Sequence, residues 1–157
     1  MPNIEELFEA ANGLIIWDAC VSYGSAVFFE FGTPHLRVRE ALENVNKGSR
    51  LSRRNVRVVG EFELLTVDCY WIIESEFGSI NSEDDLSNLN SFFNKIKGER
   101  VSKCTFKNEV LTISFDFGSK LIIKKLEHLD EVHSLFMISD SNDNVIEVLN
   151  NWSIDLT

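Results

Sequence analysis

A chain of 157 residues, 44% hydrophobic with 12 Phe and 3 Trp, is long enough to bury a single core without a metal or a disulfide to staple it. Its formal net charge of −10 argues against nucleic acid as the main partner, because phosphate contacts need Lys and Arg, and favours association with basic surfaces. The opening stretch MPNIEELFEA carries no basic segment followed by an apolar run, and no apolar run reaches the roughly 18 residues of a membrane span. Cys20, Cys69 and Cys104 are an odd set without CxxC spacing. A cytoplasmic protein with free thiols and no membrane partner is expected.

Asn3 is placed to cap a short first helix, with Glu5 and Glu6 in its first turn and Gly13 as its stop. GLIIWDACVSYGSAVFFEFG at 13–32 then reads as a hairpin, in which Val27, Phe29 and Phe31 share one face and Glu30 points the other way. HLRVRE alternates as a further strand. ALENVNKGSRLSRRNVR, about 41–57, is the most basic and most loop-like stretch, and reads as an insert whose Arg50, Arg53, Arg54 and Arg57 offset an acidic body. An apolar strand in TVDCYWIIES follows. Ser82 and Asp85 then form a capping box for an amphipathic helix at about 83–97, with Leu86, Leu89, Phe93 and Ile96 at helical spacing. Lys95 and Lys97 suit the negative end of that helix, and Gly98 its left-handed cap. In LTISFDF, Leu111, Ile113, Phe115 and Phe117 fall on one face, and NVIEVLNNWSIDL supplies one or two short strands at the end.

The string FEFG at 29–32 returns as FDFG at 115–118, and its surroundings return with it. Aligning Gly13 with Gly98 places Cys20 on Cys104, Phe29 on Phe115, Phe31 on Phe117 and Gly32 on Gly118; further on, Trp71 meets Phe136 and Glu74 meets Asp140. The expected fold is α+β, one domain of mainly antiparallel sheet built from two similar helix-plus-four-strand halves, about 3–80 and 81–157, with the basic insert in the first half. One continuous sheet, a sandwich and a half-barrel all satisfy this pattern.

Chemistry is sparse. DFG at 116–118 would be a kinase's magnesium triplet only beside a Gly-rich loop, a VAIK-type lysine and an HRD loop, and none is present. His128 and His133 are five apart, which matches neither a helical nor a strand ligand pair. In DSNDN at 140–144 a calcium loop fails at Val145 and Asn151, where glycine and a bidentate glutamate belong. The three cysteines fall in apolar strand patterns and read as core residues. No catalytic residue, metal site or cofactor is expected, and the chain reads as a non-enzyme.

Acidic blocks supply the remaining candidate. Residues 58–94 hold eight acids and 126–157 hold seven, with no Lys or Arg in either block. On the repeat alignment Glu74 and Glu76 match Asp140 and Asp143 at the ends of matching strands, and Glu83, Asp84 and Asp85 extend the first set. These seven residues are the candidate partner-binding surface, in which charge would steer encounter with a basic protein and aromatics such as Tyr70, Trp71 and Phe77 would anchor it.

With its GSAVFFEFG hairpin, its CYWIIES strand, its small size and its acidity, the chain resembles the bacterial immunity proteins of polymorphic toxin and contact-dependent growth inhibition systems. The resemblance implies a protein that binds a cognate toxin domain, often a basic nuclease, and blocks it by protein–protein contact. A non-catalytic interaction domain with another role, or a small enzyme, are the alternative readings.

Overall fold

The computed structural model describes residues 2–22, 24–128 and 130–156, and of Leu86 the backbone alone. In chain order, a 3-10 helix at Glu6–Ala11 precedes β1 (Ile16–Val21), β2 (Val27–Phe31), β3 (His35–Arg39), β4 (Asn55–Val59), β5 (Phe62–Thr66), β6 (Cys69–Ser75) and β7 (Gly78–Asn81). Helix α1 (Leu86–Ile96) leads into β8 (Val101–Lys107), β9 (Val110–Phe115), β10 (Lys120–Lys125), β11 (Ser134–Asp140), β12 (Val145–Leu149) and β13 (Ile154–Leu156). Every ladder among the described residues is antiparallel.

Two separate sheets result, not one continuous sheet: six strands in the order β1-β2-β5-β11-β12-β13, and five in the order β7-β6-β10-β9-β8. Among the described residues, strands β3 and β4 pair only with each other, as a two-stranded ribbon. The inward side chains of both sheets share one core. Phe31 stacks on Phe115 with ring centroids 6.4 Å apart, and Phe93 of α1 packs edge-on against Phe29 at 6.0 Å and beside Trp71 at 6.3 Å. Trp71 has no exposed surface, and its indole N–H donates to the Ser25 carbonyl at 2.9 Å. Phe8 of the 3-10 helix fills the core between Phe62 and Phe136. The sheets also meet through the backbone. Ile15 bridges Arg100, and the Gly98 N–H donates to the Ile16 carbonyl, so the segments following Gly13 and Gly98 pair with each other.

The helix ends differ from the sequence pattern in an instructive way. Asn3 and Glu6 do close a reciprocal box at the N-terminus, each side chain accepting from the other's backbone N–H, but on a 3-10 helix. At α1 the box shifts by one residue. Asp84, not Asp85, accepts from the Asn81 N–H, and Asn81 accepts from the Glu83 N–H, so 81–84 form a turn and the helix starts at Leu86. Leu89, Phe93 and Ile96 are buried as their spacing requires, joined by Phe92; the side chain of Leu86 lies outside the described ones.

The recurring FxFG string occupies two different structures. Phe31 ends β2 opposite Ile16, and its counterpart in register is Phe115, which ends β9 opposite Val101. Residues 116–118 are therefore turn rather than strand. Asp116 exchanges hydrogen bonds with the Arg100 backbone, Gly118 takes φ +94°, and Phe117 is 73% exposed instead of inward. Cys104 likewise sits opposite Ile113 as Ala19 sits opposite Phe29, whereas Cys20 pairs with Phe28 on the outward face and is exposed. Two of the three cysteines are thus core-facing, and Cys20 is not. Burial pushes the Cys69 and Cys104 thiols up to about 12; it also raises Cys20, helped by the Asp18 and Glu30 carboxylates. A maleimide at pH 8 is expected to add once to the native protein, at Cys20, and three times after unfolding, as read by intact mass and peptide mapping. Native labelling of Cys104 at a similar rate would contradict this packing.

Candidate functional site

Strands β2 and β5 lie side by side within the six-stranded sheet, and each carries one glutamate between two buried apolar residues. Phe29 and Phe31 point into the core, so Glu30 points out; Phe62 and Leu64 do the same for Glu63. In register the two glutamates are directly opposite each other. On an open sheet they would be solvated. Instead they are 5% and 4% exposed, because the β3–β4 ribbon covers them.

The ribbon meets them with arginines. Arg37 and Arg57 are cross-strand neighbours on its sheet-facing side. Arg37 donates to Glu63 at 2.6 Å and pairs through Nε with Asp143. Arg57 Nη2 lies 2.9 Å from both Glu30 and Glu63, and its guanidinium stacks 4.9 Å from the centroid of Phe28. Glu30 also accepts the Gly60 N–H at 2.9 Å. Burial is the main reason that Glu30 is held above the ordinary carboxylate range, with Glu63 adding to it and the Gly60 and Arg57 hydrogen bonds opposing it. Val59, fully buried, is the ribbon's apolar contact on this side.

That arrangement inverts the usual pattern. An amphipathic ribbon lying on a sheet normally turns its apolar face inward and its charges to water. Here the charges face inward, and Leu36, Val38, Val56 and Val58 face solvent at 65%, 50%, 55% and 48% exposure. Leu36 pairs with Val58 and Val38 with Val56, so the four form one strip. Leu42 and Leu51, also exposed, flank the loop beyond it, joined by a backbone hydrogen bond of 2.7 Å. Residues 35–57 carry seven basic and two acidic side chains in a chain of net charge −10. Of the basic set, Arg37 and Arg57 are neutralised beneath the ribbon and Arg54 pairs with Glu40.

The seven acidic residues expected from sequence fall on both sheets. Glu74 is exposed on β6, opposite Ser79 and Lys120; Glu76 lies in the following turn; Glu83, Asp84 and Asp85 are exposed on the turn entering α1. Asp140 and Asp143 belong instead to the β11–β12 turn of the other sheet and already have partners. Asp140 accepts from the Asn142 and Asn144 N–H groups and the Asn144 amide, while Asp143 holds Arg37. Partial burial raises the Asp140 carboxyl, but these hydrogen bonds together with Arg37 outweigh it and set it below its ordinary value. The putting together of Glu30, Glu63, Arg37 and Arg57 was not anticipated from sequence, although HLRVR and NVRVV both alternate arginine with aliphatic residues. The insert read as loop at 41–57 is in fact strand from Asn55 onward.

Fold and site together define a mainly antiparallel β protein with an arginine-clamped surface ribbon. No protein-family model, no curated protein and no solved structure matches the chain. Among the described residues no helix is long and apolar enough to cross a membrane, and no cluster of three or more His, Cys, Asp or Glu side chains could hold a metal ion.

Proposed function

We propose that this chain acts by binding another protein, and that its role is that of a cytoplasmic immunity protein which captures a cognate toxin domain. The observation that carries the reading is the inverted ribbon. Four aliphatic side chains are held in water by a clamp that leaves them no place in the core, and a contiguous exposed apolar strip of this kind marks an interaction surface. The partner chemistry is a surface with an apolar groove for the strip, on a domain basic enough to be drawn to a chain of net charge −10. Glu74, Glu76, Glu83 and Asp85 are exposed and placed to steer such a partner, with Asp84, which also accepts the Asn81 N–H, beside them; Asp143 holds Arg37 of the ribbon, and Asp140 orders the turn that carries Asp143. No catalytic step is assigned to the chain.

The proposal extends to its origin as two related halves. The Ile15–Arg100 bridge pairs positions that are equivalent when Gly13 is set on Gly98, and both hairpins carry a register shift at equivalent places, Ile16/Asp18 and Val101/Lys103. These features support a duplication, although among the described residues the halves hold seven strands and six rather than the four each that the sequence pattern led us to expect.

Co-expression with the toxin domain encoded by the neighbouring gene tests the function. The wild-type chain is expected to restore growth and to co-elute with that domain on gel filtration. Leu36→Asp with Val58→Asp, both solvent-facing, should leave the circular dichroism spectrum unchanged and weaken binding by about 100-fold or more, the range of two truncated anchors. Undiminished binding would remove the ribbon from the interface, and absence of rescue by the wild type would remove the immunity role. Reversing Glu74, Glu76, Asp84 and Asp85 to lysine is expected to slow association and flatten its salt dependence, with little change in dissociation.

A further inference from the structure

Away from the ribbon, the tips of two neighbouring hairpins and the end of α1 enclose a cavity of about 200 Å³, lined by Glu76, Phe77, Lys95, Lys97, Glu99 and Phe117 among others. The tips are neighbours because β6 and β10 pair, with Glu74 opposite Lys120. Two large aromatic side chains stand in water there, Phe77 at 52% and Phe117 at 73% exposure. Glu99, by contrast, is 5% exposed. The left-handed turn at Gly98 and the Glu99 carbonyl, which accepts from Ile16 N–H at 2.9 Å, fix its backbone, so its carboxylate is committed to the cavity wall.

That carboxylate is only half satisfied. One oxygen accepts a long 3.4 Å hydrogen bond from the Ser119 N–H, and the other is buried without a partner. Leaving a buried carboxylate oxygen without a donor is costly, and such groups in native proteins call for an explanation. The two cations of the cavity do not supply it: Lys97 Nζ lies 3.1 Å from Asp18, and Lys95 Nζ sits 5.8 Å from the centroid of Phe77. The space is much larger than the roughly 30 Å³ of one water molecule and smaller than a drug-sized pocket.

We propose that this cavity binds a small zwitterion of the α-amino-acid class, whose ammonium group donates to Glu99 and whose carboxylate faces Lys95 and Lys97. Lys97 is held by Asp18, while Lys95, stacked on Phe77, and the unpaired oxygen of Glu99 leave one charge of each sign to be met. A ligand carrying both charges gives the buried oxygen a donor and Lys95 a counter-charge at once. Its side chain lies against Phe77 and Phe117, which favours an apolar one.

Titration of the ¹⁵N-labelled protein with L-leucine and L-phenylalanine tests this. Saturable shifts confined to the amides of Phe77, Gly98, Glu99, Phe117 and Ser119 are expected, with a dissociation constant on the order of 1 mM or tighter. Leucine methyl ester and 4-methylpentanoate, which lack one charge each, should bind at least tenfold more weakly. Glu99→Gln should abolish the shifts without unfolding the chain, and Lys95→Met, at an exposed position, should weaken binding at least tenfold. No saturable shift with either amino acid would overturn the proposal. So would binding retained in Glu99→Gln or in Lys95→Met, or equal binding of the analogues.

Discussion

Replacing Trp71 by alanine is expected to destabilise the protein by about 3–5 kcal/mol, the usual range for removing a large buried aromatic. Trp71 is the largest fully buried side chain, placed where β6 of the five-stranded sheet, Phe93 of α1 and the β1–β2 turn converge. Truncation removes the ring contact with Phe93 of α1 and leaves a cavity that rigid sheets cannot close. It also removes the indole N–H that ties the β1–β2 turn to β6 through the Ser25 carbonyl at 2.9 Å. For a domain of this size, with a total stability of roughly 5–15 kcal/mol, the loss is about a fifth or more of what holds it together. Urea denaturation followed by far-UV circular dichroism gives the figure, and the melting temperature should drop by roughly 6–20 °C. Trp71→Phe separates the two contributions: the ring contacts with Phe93 remain in part, so the residual loss should fall to about 1–2 kcal/mol. A loss below about 1 kcal/mol for the alanine variant would mean that the two sheets do not depend on this junction.

The residues of that junction were legible in the sequence because their periodicity is local. Val27, Phe29 and Phe31, and Leu111, Ile113 and Phe115, alternate as half-buried strands do, and all six lie in or against the core. The spacing of Leu89, Phe93 and Ile96 likewise identified the face α1 buries. What period alone does not carry is where a strand stops. FEF and FDF have the same pattern, yet the β9 ladder ends at Phe115 because Asp116 turns aside to the Arg100 backbone. Two residues of the same string therefore have opposite environments, Phe31 inside and Phe117 in water. Cys20 was misread for the same reason, since one residue of register decides which face a side chain takes. The candidate site was less legible still. Glu30 and Glu63 announce themselves as outward residues, and Arg37 and Arg57 as members of alternating strands, but their meeting depends on 26 or 27 residues of chain folding the ribbon over the sheet. The Arg57–Glu63 contact, six residues apart, is the local part of that return. The acidic residues chosen from sequence were visible through sheer number; which were free and which were occupied depended on partners such as Arg37 and Asn144.

The ribbon clamp carries the second large effect. Arg37→Ala is expected to cost about 3 kcal/mol at neutral pH, the lower end of the range for breaking a buried ion pair, since Arg57 still reaches Glu63 and water can enter beneath a loosened ribbon. The loss arises less from the missing attraction than from what is left behind: two carboxylates, 5% and 4% exposed and opposite each other, sharing one guanidinium. Their pH response gives the signature. Glu30 already sits above its ordinary value of 4.5, so the folded state holds its proton more tightly than the unfolded chain. Its contribution is therefore most favourable below 4.5 and declines as pH rises through the folded value. Removing Arg37 takes away the cation that offsets Glu63, whose charge already helps to raise Glu30, so Glu30 moves further in the same direction and the deficit of the variant should be greatest at neutral pH and shrink on acidification toward 4.5. Adding Glu63→Gln to Arg37→Ala removes the stranded charge and should recover part of the stability, which makes the pair non-additive in a double-mutant cycle. The measurement is urea denaturation at neutral pH and near pH 5 for the wild type, both single variants and the double. A pH-independent deficit, or strict additivity, would mean that the ribbon is seated by Val59 and its backbone rather than by charge. In that case its aliphatic strip would face solvent with no clamp to account for it, and the inverted pattern would have to arise from the partner it meets.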